Sequence, residues 1–365
     1  MSNRTVFLAM VWTATSGTLW AAPVRYLDNV FTNTTVSSNI TYGSNANVDG
    51  SPQTLKMDVY QPAGDTAKAR PLMIFLFGGG WAVGTKTDGD MVLLSQTFAK
   101  KGYVAASIQY RLDPGLLSNK PAMEVQIANF RGMQDAKAAI RFLRAHKADY
   151  KIDDTRIFIG GCSAGSFISL AVAFLDAKEI PSYIDTNKVG GLEGNSGTPG
   201  VSSAVNGVIN NWGAVADSAW LLNNNIPVVG FAGTADPQVP FDTRGGTCGS
   251  ACIDRVLKRK GGKSVLKPFV GMGHGMGTGD KRYDTLLTMA SQFSYDVLFK
   301  SNPTAMNRGS LRPLTFTNAM PFQSGLLYSL DGRTLGTLPG SRSPRPGFLI
   351  AKPARRRGND IPGIE

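Results

Sequence analysis

The sequence predicts an α/β protein, with a mostly parallel central sheet covered by helices on both faces and a small β appendage near its C-terminal end. Three observations predict it. The runs Pro71 to Phe77 and Tyr103 to Ile108 are apolar without alternation, as strands buried on both faces of a parallel sheet require. Stretches of helical spacing, such as Met133, Ala136, Ile140 and Leu143, fall between such runs. The chain has 365 residues, 42% of them hydrophobic, enough for one large core of the size single α/β domains commonly reach.

Taken in order, the chain opens with Arg4, an apolar stretch from Val6 to Trp20 softened by Thr and Ser, and then Ala21-Ala22. That is the layout of a secretory signal peptide over residues 1–21, too short and interrupted for a membrane span. The alternative is a buried N-terminal helix or strand. A catalytic domain is expected over 28–300. Within it, a Thr/Asn/Ser-rich lead from Phe31 to Asn47 precedes Leu55 to Tyr60, which alternates and ends at Pro62 like an antiparallel edge strand. Helix is expected from Ala122 to His146, strand from Arg156 to Gly160, and helix from Ser163 to Leu175. Further strands are expected at Gly207 to Asn210, Pro227 to Ala232 and Val265 to Val270, before a closing helix lined by Tyr283, Leu286, Ala290, Phe293 and Val297. The Gly-, Ser-, Asn- and Pro-rich stretch from Pro181 to Val205 has no periodicity and reads as a substrate-side loop, with a disordered insert as the alternative.

The net charge of +12 would suit a nucleic-acid binder if it covered the main domain. It does not. Residues 301–365 hold nine Arg or Lys against three acidic residues, half of the net charge in a Pro- and Gly-rich tail. Such a tail fits anchoring, sorting or adsorption better than nucleic-acid recognition. No second segment approaches transmembrane length, so no membrane span is expected.

Of three cysteines, Cys248 and Cys252 are near enough in sequence for a local disulfide, with two free thiols as the alternative. Two cysteines and two scattered histidines do not make a zinc ligand set, so no metal site is expected.

Gly161-Cys162-Ser163-Ala164-Gly165 matches G-x-S-x-G between the strand RIFIG and a helix. A strand-to-helix turn this tight needs glycines at both places, and it lifts the serine hydroxyl clear of the sheet. Ser163 is the candidate nucleophile. A hydroxyl needs a base to take its proton, and the sequence has two histidines. His146 closes a helix at the N-terminal edge of the sheet. His274 lies just past a strand end, where functional groups of open α/β sheets gather, so it is the candidate base. Asp236 follows the strand Pro227 to Ala232, between serine and histidine in chain order, and is the candidate for orienting the imidazole. Asp217, Asp242 and Asp254 follow no expected strand directly. Phe77-Gly78-Gly79-Gly80-Trp81 follows the buried strand PLMIFLF, and the backbone N–H groups of Gly79 and Gly80, with that of Ala164, are expected to form an oxyanion hole. Trp81 is expected to pack beneath this loop.

With these elements in order, the region from about Leu55 to Lys300 resembles the bacterial esterases related to hormone-sensitive lipase, and the wider carboxylesterase and feruloyl esterase groups of the α/β-hydrolase superfamily. The stretches that carry the resemblance are FGGGW, SIQYRLDP, DAKAAIRFLRAHKADYKIDDTRIFIGGCSAGS, GTADPQVPF and GMGHG. It implies the α/β-hydrolase fold and a secreted or cell-surface serine carboxylesterase working through an acyl-enzyme on Ser163, with no cofactor. The expected substrates are short acyl or aromatic esters, among them acetyl or feruloyl groups on plant polysaccharide. Rival readings are a lipase or polyester hydrolase, a peptidase of the same fold, and a hydrolase-fold module that only binds. The sequence departs from the group's pattern at Phe77, where histidine is usual and would hydrogen-bond to the loop, and at Cys162, where an acidic residue is common. Gly325 to Pro353 looks like the C-terminal sorting modules of secreted Bacteroidetes-type or Fibrobacter-type proteins, with Asp331-Gly332 as a hairpin turn. A module at 318–353 and contact with secretion machinery are expected on that likeness, with a generic linker and a disordered basic end as the alternative.

Overall fold

A computed structural model describes residues 22–118 and 121–300, together with the strand backbones at 326–328 and 334–337. The expected leader at 1–21 lies outside the described residues, as does the Asp331-Gly332 turn.

The elements of the larger unit begin with strands β1 (Thr34–Ala46), β2 (Pro52–Pro62) and β3 (Arg70–Leu76), helix α1 (Gly89–Lys100) and strand β4 (Val104–Ile108). There follow α2 (Ala122–Ala145), the short turn of helix α3 (Lys147–Tyr150), β5 (Ile152–Cys162), α4 (Ala164–Phe174) and the short α5 (Thr186–Val189). Next come β6 (Gly207–Asn211), β7 (Val228–Gly233), the two-residue strands β8 (Thr243–Arg244) and β9 (Thr247–Cys248), α6 (Ser250–Arg259), β10 (Ser264–Phe269) and α7 (Arg282–Tyr295). Eight strands form one sheet in the order β1-β2-β4-β3-β5-β6-β7-β10. Strand β2 is antiparallel to both β1 and β4, and every other pairing is parallel. This is the expected α/β architecture.

Each residue of β3, β4, β6 and β7 is buried, so both faces of the sheet are covered. Helices α1 and α7 touch each other on one face, and α2 and α4 pair on the other. Burying such strands and the helix stripes laid over them supplies most of the stability, at about 25 cal/mol per Å² of apolar surface. Phe98 from α1 packs on Phe75 of β3 and on Tyr103 at the entry to β4, so α1 is clamped across the sheet directly after the glycine loop.

Three expectations need correction. Leu55 to Tyr60 belongs to β2, which is an interior strand; the edge is β1, taken in the sequence for an irregular lead. An edge strand is paired on one side only, and β1 shows solvent most of its length, so its polar Thr, Ser and Asn hide the strand pattern. Helices α1 and α6 were not anticipated, although Met91, Leu94, Ser95, Phe98 and Ala99 are buried at helical spacing. The stretch 181–205 is not a substrate-side loop. It is bound along α2, where Gln134 donates to the carbonyls of Val189 and Gly191 (2.9 and 2.6 Å), and Arg141 donates to Glu193 and to the carbonyls of Ser196 and Thr198.

The C-terminal unit is described only by strands β11 (Leu326–Tyr328) and β12 (Thr334–Thr337), which pair antiparallel as the expected hairpin would.

Candidate active site

Strand β5 ends at Cys162, and Ser163 follows it with φ 51° and ψ −119° before α4 begins. A positive φ at a non-glycine residue is strained, and it persists here because its surroundings leave no alternative. A Cβ on Gly165 would stand 2.1 Å from the Leu76 carbonyl oxygen, and one on Gly161 would stand 2.5 Å from the same atom. Strand β3 therefore runs so close that only glycines fit on either side of the serine.

His274 lies in the loop after β10, and Asp236 in the loop after the neighbouring β7. The two loops are tied together: Thr234 N–H donates to the Phe269 carbonyl, Ala235 N–H to the Met272 carbonyl, and Gly271 N–H to the Thr234 hydroxyl. The result is a chain of hydrogen bonds. Ser163 Oγ is 2.8 Å from His274 Nε2, and His274 Nδ1 is 2.7 Å from Asp236 Oδ2. The other carboxylate oxygen of Asp236 accepts the N–H groups of Gln238 (2.8 Å) and Val239 (3.0 Å). The Asp236 side chain is 2% exposed, so this geometry is held away from water.

The sequence singled out these three residues, and the structure brings them together. His146 is elsewhere: its ring stacks on Phe142, bonds to Asp149, and lines a different cavity with Asn195 and Ser196. Asp242 pairs with Arg255, Asp254 with Lys258, and Asp217 accepts the Ala219 N–H. Cys248 and Cys252 are joined by a disulfide that ties β9 to the first turn of α6.

The glycine loop leaves β3 beside Ser163. Gly79 takes φ 106°, and a Cβ there would stand 2.1 Å from the Val83 carbonyl oxygen, so the tight turn excludes any larger residue. Among the described residues, the N–H groups of Gly79, Gly80 and Ala164 have no hydrogen-bond partner in the protein. Unmated donors beside a nucleophile are what a developing oxyanion needs.

Phe77, standing where histidine is usual, does not leave the loop loose. Its ring stacks on Tyr110 at 4.3 Å, and the Tyr110 hydroxyl donates to the Phe77 carbonyl. Further along, Lys86 pairs with buried Asp58 at 2.7 Å, and Ser107 donates to the Lys86 carbonyl. Packing and these bonds replace the expected histidine contact. Trp81 is buried against Phe167 of α4 at φ 60°, as expected of a residue beneath the loop.

Ser163, His274 and the glycine loop at Gly78, Gly79 and Gly80 line one cavity of about 590 Å³, at the ends of β3, β5, β6, β7 and β10, while Asp236 and Ala164 are buried. Its wall also includes Asp90, Cys162, Trp212, Gln238 and Met276. Apart from Cys162, these were missed in the sequence. Trp212 follows β6 at φ 45°, and its place after a strand end was the signal available. Asp90 sits in the first turn of α1, and with that helix unanticipated it had no location. Burial pushes the Asp90 carboxyl up, against the opposing pull of the Cys162 thiol. Burial pushes the Cys162 thiol well up in turn, and the neighbouring Asp90 adds to this.

Comparison with known proteins agrees with this geometry. Residues 57–221 match the BD-FAE family model. The structure of Thermogutta terrifontis esterase 2 bound to propionate superposes with a TM-score of 0.53 at 26% identity, over 72% of this chain and 94% of that one. The chain has the α/β-hydrolase fold and is similar in sequence and structure to esterases. Esterase LipC of Mycobacterium tuberculosis is similar to this chain, with 33% identity over 35% of it. Endo-1,4-beta-xylanase B of Butyrivibrio fibrisolvens is 31% identical over 32% of it. The matches span 28% and 17% of those two relatives.

Proposed function

We propose that this hydrolase is a secreted serine carboxylesterase acting on short acyl or aromatic esters, such as acetyl or feruloyl groups on plant polysaccharide. The observation that carries the reading is the chain from Ser163 through His274 to Asp236, beside the unpartnered N–H groups of Gly79 and Gly80, which line the same cavity as Ser163, and of Ala164, next to Ser163 in the chain.

In this reading His274 Nε2 takes the proton from Ser163 Oγ as that oxygen attacks the ester carbonyl carbon. The oxyanion accepts hydrogen bonds from Gly79, Gly80 and Ala164, each worth on the order of 3 kcal/mol of barrier. Protonated His274 then gives its proton to the departing alcohol oxygen, leaving the acyl group on Ser163. Water repeats the cycle, losing its proton to His274 as it attacks, and the acid leaves. Asp236 keeps the imidazole proton on Nδ1 and stabilises the imidazolium.

The polysaccharide part of the proposal is supported by the BD-FAE match and by the likeness to a xylanase. Secretion is supported by the leader-like layout of residues 1–21 and by the disulfide, a bond that persists in oxidising compartments. The paired strands β11 and β12 support a C-terminal sorting module. Among the described residues no helix is long and apolar enough to cross a membrane.

Ser163→Ala should lower turnover of p-nitrophenyl acetate by about 10³-fold or more. Unchanged turnover would overturn the serine mechanism. An inactive wild type would favour a binding module, and release of soluble product from a polyester film alone would favour a polyester hydrolase.

A further inference from the structure

The proposed reaction leaves one charged group of the cavity without a task. Asp90 projects from the first turn of α1 into the same space as Ser163. One of its oxygens accepts the Met91 N–H at 3.0 Å, and its carboxyl also meets the Cys162 thiol.

Its surroundings differ from those of three carboxylates that are held by Lys or Arg. Asp58 is paired with Lys86, Asp65 with Arg25 and Arg70, and Asp135 with Arg111. Among the described residues Asp90 has no such cation. A partly buried carboxylate without a counter-charge is costly unless hydrogen-bond donors reach it. The Met91 N–H, the Cys162 thiol and Asp90's own N–H are neutral donors, fewer than the four lone-pair sites of a carboxylate, and Asp90 lines the substrate cavity.

The other walls narrow what would fill it. An alkyl chain laid against Asp90 would strip water from the charge and return nothing, so long apolar acyl groups are disfavoured. Gln238 adds a neutral amide and Trp212 an aromatic ring. A carboxylate, an amide and an aromatic ring around one cavity suit a flat or ring-shaped group that carries hydroxyls.

We propose that Asp90 is a specificity-determining residue, whose carboxylate accepts a hydrogen bond from a hydroxyl of the ester substrate and so selects hydroxylated esters over apolar esters of the same size. The reacting steps rest on the esterase reading; the binding preference does not. The hydroxyl has two chemical sources, a phenol on the acyl group or a sugar hydroxyl on the alcohol.

Two substrate pairs separate the sources. Methyl p-coumarate and methyl cinnamate differ by one phenolic hydroxyl; trans-2-hydroxycyclohexyl acetate and cyclohexyl acetate differ by one ring hydroxyl on the alcohol, as a sugar would present it. The wild type should favour the hydroxylated member of at least one pair by about 10- to 100-fold in kcat/KM, the range for a hydrogen bond to a charged group. Asp90→Leu should bring that ratio close to one, and Asp90→Asn, nearly isosteric and still an acceptor, should leave part of it. Intact esters titrated calorimetrically into Ser163→Ala, with and without Asp90→Asn, read the same preference without turnover, and urea unfolding checks that each variant is folded.

A wild-type ratio near one in both pairs, or a preference that survives in folded Asp90→Leu and Asp90→Asn, overturns the proposal while leaving the esterase reading intact. Binding preference that depends on Asp90 in a protein that turns over no ester supports the proposal and overturns the esterase reading.

Discussion

Replacing Asp236 with asparagine exchanges one oxygen for an NH2 group, and it should silence the site while leaving the fold in place. The orientation of the new amide is set by the structure. Oδ1 of Asp236 accepts the N–H groups of Gln238 at 2.8 Å and Val239 at 3.0 Å, while Oδ2 faces His274 Nδ1 at 2.7 Å. The asparagine must keep its carbonyl oxygen on the two backbone donors, because the reverse would leave both unsatisfied at about 1–3 kcal/mol each. Its NH2 group then points at Nδ1, which has to become an acceptor. The imidazole proton moves to Nε2, the atom 2.8 Å from Ser163 Oγ, and a nitrogen that already carries a proton cannot take another from serine. The same change in a well-studied serine protease costs about 10⁴-fold in kcat, equivalent to about 5.5 kcal/mol of barrier. The assay is kcat on p-nitrophenyl acetate at neutral pH, normalised by protein concentration from absorbance, beside a thermal unfolding curve. An asparagine variant that is folded and keeps more than about a tenth of wild-type kcat would refute this reasoning. Asp236→Ala provides the contrast, since it frees the ring from a wrong partner but orphans two backbone donors and should lower stability as well as rate.

Gly79→Ala places a methyl group where the Val83 carbonyl oxygen would be 2.1 Å away, at a φ of 106°; the N–H must swing, and kcat should fall by about 10²- to 10³-fold with little change in KM. Steady-state kinetics with two acetate esters check it, and an unchanged kcat would remove Gly79 from the oxyanion hole. Asp65 is a test by acid: burial opposes ionisation, but Arg25 and Arg70 hold its carboxyl well below the ordinary carboxylate range. A depressed folded-state value stabilises the fold fully above the unfolded value of about 3.9, and the contribution is lost as pH falls below that. Asp65→Asn should therefore lower stability at neutral pH and flatten the acid limb of the curve, as followed by urea unfolding from about pH 3 to about pH 7; a mutant curve parallel to the wild type would disprove the assignment.

How far the chain was legible depended on how local the signal was. Strands β3 to β7 and helices α2 and α4 announce themselves through uninterrupted apolar runs and a single buried stripe, because each is buried by neighbours on both sides of the sheet. Strand β1 does not, since an edge exposed to water tolerates Thr, Ser and Asn. Helix α1 was missed although its stripe was present, and Asp90 went with it. The stretch 181–205 misled because its low periodicity resembles a mobile substrate loop, whereas its order comes from Gln134, Lys137 and Arg141 on α2, residues more than fifty positions away.

Taken alone, the sequence determined which groups are available and which turns they occupy. Gly161 and Gly165 around Ser163, the glycines after β3, and a histidine and an aspartate past strand ends are local chemistry, each specified by a few adjacent residues. Tertiary structure decided that Ser163 and His274, 111 positions apart, stand 2.8 Å from one another, that Phe77 secures its loop by stacking on Tyr110, and that Asp90 and Trp212 share the cavity with them. The reason is that the strand order, β5 beside β6, then β7, then β10, converts separate chain positions into neighbours along one edge of the sheet. No single segment holds that order; the packing of helices on both faces does.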